Sequence, residues 1–486
     1  MKKSIFPLFS LILIITSCKT EKIADFQPKT VVPSVQQLAY QKMEMVGFIH
    51  FTVNTYTDKE WGYGDENPII FNPEELDAEQ WVLAAKAGGL KELILTAKHH
   101  DGFCLWPSKF TEHSVKNSPY KDGQGNVVKE FVDACKKHGL KVGLYLSPWD
   151  RNHADYGKPE YITYYRNQLK ELLTNYGEIN EIWFDGANGG DGFYGGANEE
   201  RKIDRSTYYD WENTFSLVKN LQPNIMIFSD AGPDIRWVGN EHGHAGQTFW
   251  SSINGNELTI GGDMADYLNI GESDGNSWLI GQCDVSIRPG WFYHEAQDSL
   301  VKTPKQLTDI YYKSVGRNGV LLVNLPPNKK GLIHSNDVKN LKGFKEIIDE
   351  TFKTNLVEGA KVTASNYRLE NERFSPLNIL DSNSETFWTT DDSVLSAELI
   401  IETEKPITFN RLLLQEPIKY GQRIEKFEVS IEENGAWKSI SNETTIGYKR
   451  LIRIENVTTR KIKIKIVDAN AIPALSNFEV FLATKE

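Results

Sequence analysis

From about residue 40 to residue 325, short apolar runs alternate with stretches of helical periodicity. No other feature constrains the fold as strongly. The runs are Val46 to Phe51, Glu92 to Ala97, Val142 to Leu146, Ile182 to Phe184, Ile225 to Phe228 and Val320 to Leu325. Helical spacing falls between them at Ala78 to Ala87, Val127 to Cys135, Tyr161 to Tyr176, Tyr208 to Leu221 and Leu307 to Val315. Strands that read as continuous apolar runs are covered on both faces, which is the mark of a parallel sheet. About 310 residues of this pattern, with long insertions, suit a TIM-type (β/α) barrel better than an open sheet. Six strands can be placed; the two still needed to close a barrel give no readable signal.

A polar helix, Asn336 to Thr354, closes this region, and the period then changes to two. Arg411 to Leu414, Glu425 to Ile431 and Lys461 to Ile466 alternate, and Asn434-Gly435 is a strong hairpin turn. The expected fold class is therefore α/β, a TIM-type barrel over residues 40–355, followed by an all-β sandwich over 356–486.

The N-terminus reads as targeting rather than fold. Lys2 and Lys3 precede a mostly apolar run from Ile5 to Ile15, then Thr16-Ser17-Cys18. This is the pattern of a signal peptide over residues 1–18, ending in a bacterial lipobox whose Cys18 is lipidated. Residues 19–39 are polar, contain Pro28 and Pro33, and read as a tether. The expected location is a bacterial envelope membrane, periplasm or cell surface, with the lipid anchor as the only membrane contact. Cys104, Cys135 and Cys283 remain, too few and too scattered for a disulfide framework or a zinc motif. A net charge of -12 argues against nucleic acid as a partner, whereas neutral sugars are indifferent to it.

In a parallel barrel, functional groups sit just past the C-terminal ends of the strands. That rule selects His50; His99, His100 and Asp101; Tyr145, Trp149, Asp150 and Arg151; Asp185 after Trp183; and Asp230, Asp234, Arg236, Trp237 and Glu241. Two carboxylates on different strand ends are what glycoside hydrolysis requires, one as nucleophile or base and one as acid. Tryptophans can stack on a sugar ring, and imidazoles and Tyr can hydrogen-bond its hydroxyls. Blander readings stand beside these. Asp185 could cap a helix, although the glycines after it favour an open loop. His99-His100 could be a metal pair, but adjacent residues of an extended chain point to opposite faces. Asp101-Gly102 reads as a tight turn, and Glu241 on a polar loop could be merely solvated. No helical HxxxH or HExxH occurs, and no metal is expected in the barrel.

At these residues the chain resembles glycoside hydrolase family 29, the α-L-fucosidases. The resemblance spans about residues 45 to 350. It rests on Thr96-Ala97-Lys98-His99-His100-Asp101-Gly102-Phe103, Ile182-Trp183-Phe184-Asp185-Gly186-Ala187 and Gly232-Pro233-Asp234-Ile235-Arg236-Trp237-Val238-Gly239-Asn240-Glu241. Ser286-Ile287-Arg288-Pro289-Gly290-Trp291-Phe292 and Ser314-Val315-Gly316-Arg317-Asn318-Gly319 also match. It implies a retaining exo-fucosidase that needs no cofactor, with Asp185 as nucleophile and Glu241 as acid/base. His50, Glu60, Trp61, His99, His100, Tyr145, Trp183 and Trp291 would grip fucose. His50 is followed by Phe51-Thr52-Val53 where the commoner family pattern is His-Trp-Gly. That departure is similar to the subfamily preferring α-1,3/4-linked fucose on branched glycans. Trp149, Asp150, Arg151, Asp234, Arg236 and Trp237 are expected at the barrel mouth, where they could hold the neighbouring sugar. The tail resembles discoidin-like and carbohydrate-binding domains. This implies a possible structural calcium at Asp381, Asn383, Thr386 and Glu479. Two other readings remain: a catalytically silent fucose-glycan-binding lipoprotein, and a hydrolase of a related sugar.

Overall fold

The computed structural model describes residues 25–484. Cys18 and the signal segment lie outside the described residues. Eight strands form the barrel: β1 (Met45–Ile49), β2 (Glu92–Lys98), β3 (Lys141–Leu146), β4 (Glu181–Trp183), β5 (Met226–Phe228), β6 (Ile235–Trp237), β7 (Ile280–Ser286) and β8 (Val320–Asn324). Each pairs in parallel with its sequence neighbours, and β8 pairs with β1 to close the ring. The apolar runs have a simple origin. Along β1, Val46 and Phe48 point into the barrel, while Met45 and Ile49 point out toward the helices. Ile94, Tyr145, Trp183, Phe228 and Leu322 fill the interior with them. Leu93, Leu95, Leu144, Ile182 and Val323 pack outward. Both faces are buried, so alternation disappears from the sequence.

The outer layer includes α2 (Ala78–Ala87), α3 (Val127–His138), α4 (Pro159–Asn175), α5 (Trp211–Leu221), α6 (Pro304–Lys313) and α7 (Ser335–Thr351), with α1 (Val35–Gln41) ahead of the first strand. Their ends obey local chemistry. Asn126 caps α3, and Gly139 ends it at φ 71°. Thr303 and Gln306 form a capping box at α6, with Pro304 in its first turn.

The two strands without a sequence signal are β6 and β7. β6 has only three residues, and its centre is Arg236. In β7, Gln282, Asp284 and Ser286 alternate with Gly281, Cys283 and Val285, so one face of the strand is polar although every residue is buried. A buried polar strand cannot be found by searching for apolar runs.

Residues 25–39 are not a loose tether. Phe26 is buried against Phe374, Phe387 and Tyr420, and Gln37 donates to the Trp278 carbonyl at 2.7 Å. The partners of this segment are remote in sequence, so local periodicity could not reveal its packing.

The C-terminal domain is an antiparallel sheet of β9 (Lys361–Ala364), β10 (Ala397–Gln415), β11 (Ile424–Glu433), β12 (Ala436–Glu443), β13 (Arg450–Ala469) and β14 (Asn477–Phe481), in the order β9-β10-β13-β11-β12 with β14 on β10. Ile462, Ile464 and Ile466 enter its core, and the lysines between them are half-buried on the other face. Asn434 and Gly435 turn the β11–β12 hairpin with φ of 53° and 79°, as a type I′ turn demands. The domain grips the barrel through Tyr448, whose hydroxyl donates to Glu44 at 2.9 Å and whose backbone N–H donates to Asn318 at 2.7 Å. Glu44 and Asn318 precede β1 and β8, so this contact lies at the end of the barrel opposite the strand C-termini.

Candidate active site

At the C-terminal end of the strands lies a cavity of about 210 Å³. Asp185 follows β4, Glu241 follows β6, and both border it. His50 enters from the end of β1, His99 and His100 from β2, Tyr145 from β3, Asp284 from β7 and Trp291 from the loop after β7. Phe48 and Trp183 give it an apolar floor, and Glu60 and Trp61 reach its rim from the loop after β1. Apolar walls with a few converging polar groups are what a sugar pocket requires.

Each carboxyl is aimed by a neighbour. Asp185 is 25% exposed; its Oδ2 accepts from the Tyr145 hydroxyl at 3.1 Å and its Oδ1 from the Ala187 N–H at 2.7 Å. No helix begins there, so Asp185 is not a helix cap. A Cβ at Gly186, the next residue, would collide with the Asp230 carboxyl, so glycine there lets that carboxyl lie close behind Asp185. Glu241 Oε2 accepts from the Trp291 indole N–H at 3.1 Å. The Trp291 backbone N–H donates to Glu60 Oε2 at 2.8 Å, and Asn324 holds the Trp291 carbonyl at 2.7 Å.

The histidines are neutral donors and acceptors rather than cations. Burial pushes the His50 imidazole down to about 3 and the His99 imidazole well below its ordinary value. Burial also lowers His100, against the raising pull of Asp185, whose Oδ2 lies 4.0 Å from His100 Nε2. His50 Nδ1 pairs with Asn324 Oδ1 at 2.9 Å and His100 Nδ1 with Ser147 Oγ at 2.7 Å. These bonds fix the ring orientations. His99 Nδ1 is buried and has no hydrogen-bond partner among the described residues. The two adjacent histidines do not point to opposite faces. A register shift between Thr96 and Lys98 and the turn that follows swing both rings into the cavity, 4.1 Å apart.

Thus the structure brings Asp185, Glu241, His50, Glu60, Trp61, His99, His100, Tyr145, Trp183 and Trp291 around one cavity. Other expected contacts are corrected. Trp149 is buried behind His100, with its indole N–H on the Tyr194 hydroxyl at 3.0 Å. Arg236 is fully buried and donates to backbone carbonyls of Trp250, Leu268 and Leu279. Its strand places it between β6 and the long loop that follows, away from the mouth. Asp150 pairs with Lys98 at 2.9 Å inside the fold, and Arg151 is buried among backbone oxygens with Asp191. Asp234 precedes β6, at the opposite end of the barrel, and caps the Ile227 N–H there. Trp237 does not border the cavity but donates to Asp284 Oδ1 at 2.9 Å. The barrel-mouth cluster expected to hold a second sugar is therefore largely scaffold.

In the tail, Asp381 accepts from the Asn383 N–H and the Thr386 hydroxyl, whereas Glu479 neighbours Asn477 and Lys449. Among the described residues no three His, Cys, Asp or Glu side chains form a metal-sized cluster.

Sequence reasoning missed Asp284, Gln282 and Asn324. Gln282 accepts from the Trp183 indole N–H at 2.7 Å and so fixes the cavity floor. The available signal was the period-2 polar run just ahead of Ser286-Ile287-Arg288.

Comparison with known proteins bears on this site. Residues 31–349 match the family model Alpha-L-fucosidase and residues 361–479 match the F5/8 type C domain. Alpha-L-fucosidase 1 of Arabidopsis thaliana is 44% identical over 456 residues, covering 93% of this chain and 87% of that protein. A glycoside hydrolase 29 family member from an unknown rumen bacterium superposes with a TM-score of 0.85 at 46% identity, covering 95% of this chain and 79% of that one. A Ruminococcus gnavus GH29 fucosidase in complex with fucose superposes with a TM-score of 0.85 at 35% identity, covering 95% and 97%.

Proposed function

The chain belongs to the α-L-fucosidases of glycoside hydrolase family 29, and from that premise we propose that it releases terminal L-fucose with retention, by double displacement. The observation that carries this reading is that Asp185 and Glu241 open onto one small cavity. Asp185 attacks the anomeric carbon and forms a glycosyl-enzyme. Glu241 first protonates the leaving oxygen and then takes a proton from water. Tyr145 holds the Asp185 carboxylate in line, and Trp291 holds Glu241. Neutral His50, His99 and His100 serve the sugar hydroxyls. Asp185→Ala is the test: turnover falls by several orders of magnitude while fucose still binds. Ordinary turnover by that variant contradicts the assignment. A catalytically silent binding lipoprotein is not favoured, since both carboxyls are present and aimed into the cavity.

The preferred linkage in this proposal is α-1,3/4 on branched glycans. It rests on the His50-Phe51 pattern and the Gly-Asn-Glu241 motif, together with Trp61, which is 55% exposed at the rim and offers a face to a neighbouring sugar. A higher kcat/KM on a Lewis trisaccharide than on 2′-fucosyllactose is expected; equal or reversed values contradict it. The fucosylated substrates are met at a bacterial envelope, to which a lipid on Cys18 tethers the enzyme. The chemistry so described uses carboxyls, imidazoles and water, and assigns no part to a metal.

A further inference from the structure

Asp284 is a carboxyl without an assigned task. It lies on β7, is 4% exposed and borders the cavity. Its Oδ1 accepts from the Trp237 indole N–H at 2.9 Å. The charged groups that act on it are carboxylates: Glu241 from the loop after β6 and Asp185 from the loop after β4. Asp230, half-buried just past the end of β5, adds a further carboxyl beside Asp185. The remaining titratable walls of the cavity are Glu60, Tyr145 and the imidazoles of His50, His99 and His100. Four carboxyls, Glu60, Asp185, Glu241 and Asp284, around 210 Å³ floored by Phe48 and Trp183 cannot all carry charge cheaply. Burial raises the most enclosed of them, Asp284, toward its protonated form.

We propose that Asp284 is a sugar-binding residue that acts as a neutral acid, donating a hydrogen bond from Oδ2 to a hydroxyl of the fucose ring. Trp237 fixes which oxygen stays an acceptor, because its N–H occupies Oδ1. The proton is therefore left to Oδ2, the oxygen that Trp237 does not occupy. Neutrality has a second use, since it keeps a further negative charge away from Asp185 and Glu241. Burial, with Glu241 adding to it, pushes the Asp284 carboxyl well above the usual carboxylate range, in keeping with this role. The inference rests on the reading of this cavity as the fucose pocket.

The test is fucose binding by calorimetry on the full chain, as wild type, Asp284→Asn and Asp284→Ala, from about pH 5 to about pH 9. The amide keeps the shape, the acceptor for Trp237 and a donor toward the sugar, but cannot ionise. At pH 6 the Asn variant binds within about threefold of wild type, and the Ala variant is weaker by about tenfold, the worth of one buried hydrogen bond. Wild-type affinity declines on the alkaline side as Asp284 loses its proton, and the Asn variant's does not. Two results overturn the proposal: an Asn variant as weak as Ala at pH 6 with an unchanged unfolding temperature, or an alkaline decline that persists in Asn, which would belong to Asp230. The wild-type and Asn curves decide the matter even if the Ala variant folds poorly. Wild-type protein that fails to bind fucose at any pH removes the pocket assignment itself, a different failure.

Discussion

Arg236→Met separates a scaffold arginine from a substrate-binding one. Arg236 has no exposed surface, and its guanidinium donates to four carbonyls at 2.7 Å, 2.8 Å, 3.0 Å and 3.4 Å: Trp250, Leu279, Leu268 and Ser251. It has no carboxylate partner among its hydrogen bonds, and burial lowers it to about 10. Methionine keeps an apolar stem of similar length but loses the guanidinium over the Phe249 ring and strands those carbonyls. Each buried group left unsatisfied costs about 1–3 kcal/mol, and water entering the vacated space recovers part, so the loss is roughly 3–6 kcal/mol. With an unfolding entropy of about 2 cal/mol/K per residue over a barrel of about 310 residues, this lowers Tm by about 5–9 °C. The assay is thermal unfolding by near-UV circular dichroism beside steady-state kinetics well below the transition. The account expects the drop in Tm with KM within about twofold of wild type. An unchanged Tm with a tenfold rise in KM would refute it and return Arg236 to the sugar.

Trp291→Phe removes the indole N–H that donates to Glu241, so kcat/KM on a natural fucoside should fall about tenfold more than on an aryl fucoside with a good leaving group; equal losses detach Trp291 from the acid. Glu181, buried beneath the pocket with Glu92 beside it, is raised by burial to about 8. A carboxyl raised on folding stabilises the fold fully below its unfolded value of about 4.5 and loses that contribution as pH climbs through 8. Wild-type Tm should therefore fall between pH 5 and pH 9, and Glu181→Gln should fall less; parallel curves contradict the assignment. Excess EDTA should leave turnover of folded enzyme unchanged, whereas immediate inactivation reversed by zinc would place a metal in the chemistry.

The sequence is most readable where one physical demand dominates a segment. Double-sided burial made β1 to β5 and β8 visible, and Asn434-Gly435 announced its hairpin because few other residues accept those angles. Asp185 could be chosen because a glycine-rich loop, not a helix, follows it. Visibility ended where partners are remote. Arg236 and Asp234 look like mouth residues only while β6 goes unseen; once Ile235–Trp237 is a strand, Asp234 moves to its far end and Arg236 into the wall. Asp284 was hidden for the same reason: its strand carries polar side chains into the barrel, where only the closed ring makes them neighbours of Asp185. The pairing of His99 and His100 on one side depended on a register shift that leaves no compositional trace.

In the proposed mechanism Asp185 forms a covalent intermediate and Glu241 serves both steps. The most direct measurement is a proton NMR time course of the anomeric signal during the first minutes of hydrolysis of an α-L-fucoside. The account predicts that α-L-fucose appears first and mutarotates afterwards toward the equilibrium mixture, since two displacements restore the starting configuration. Initial appearance of β-L-fucose would mean a single displacement by water, and Asp185 would then be a base rather than the nucleophile.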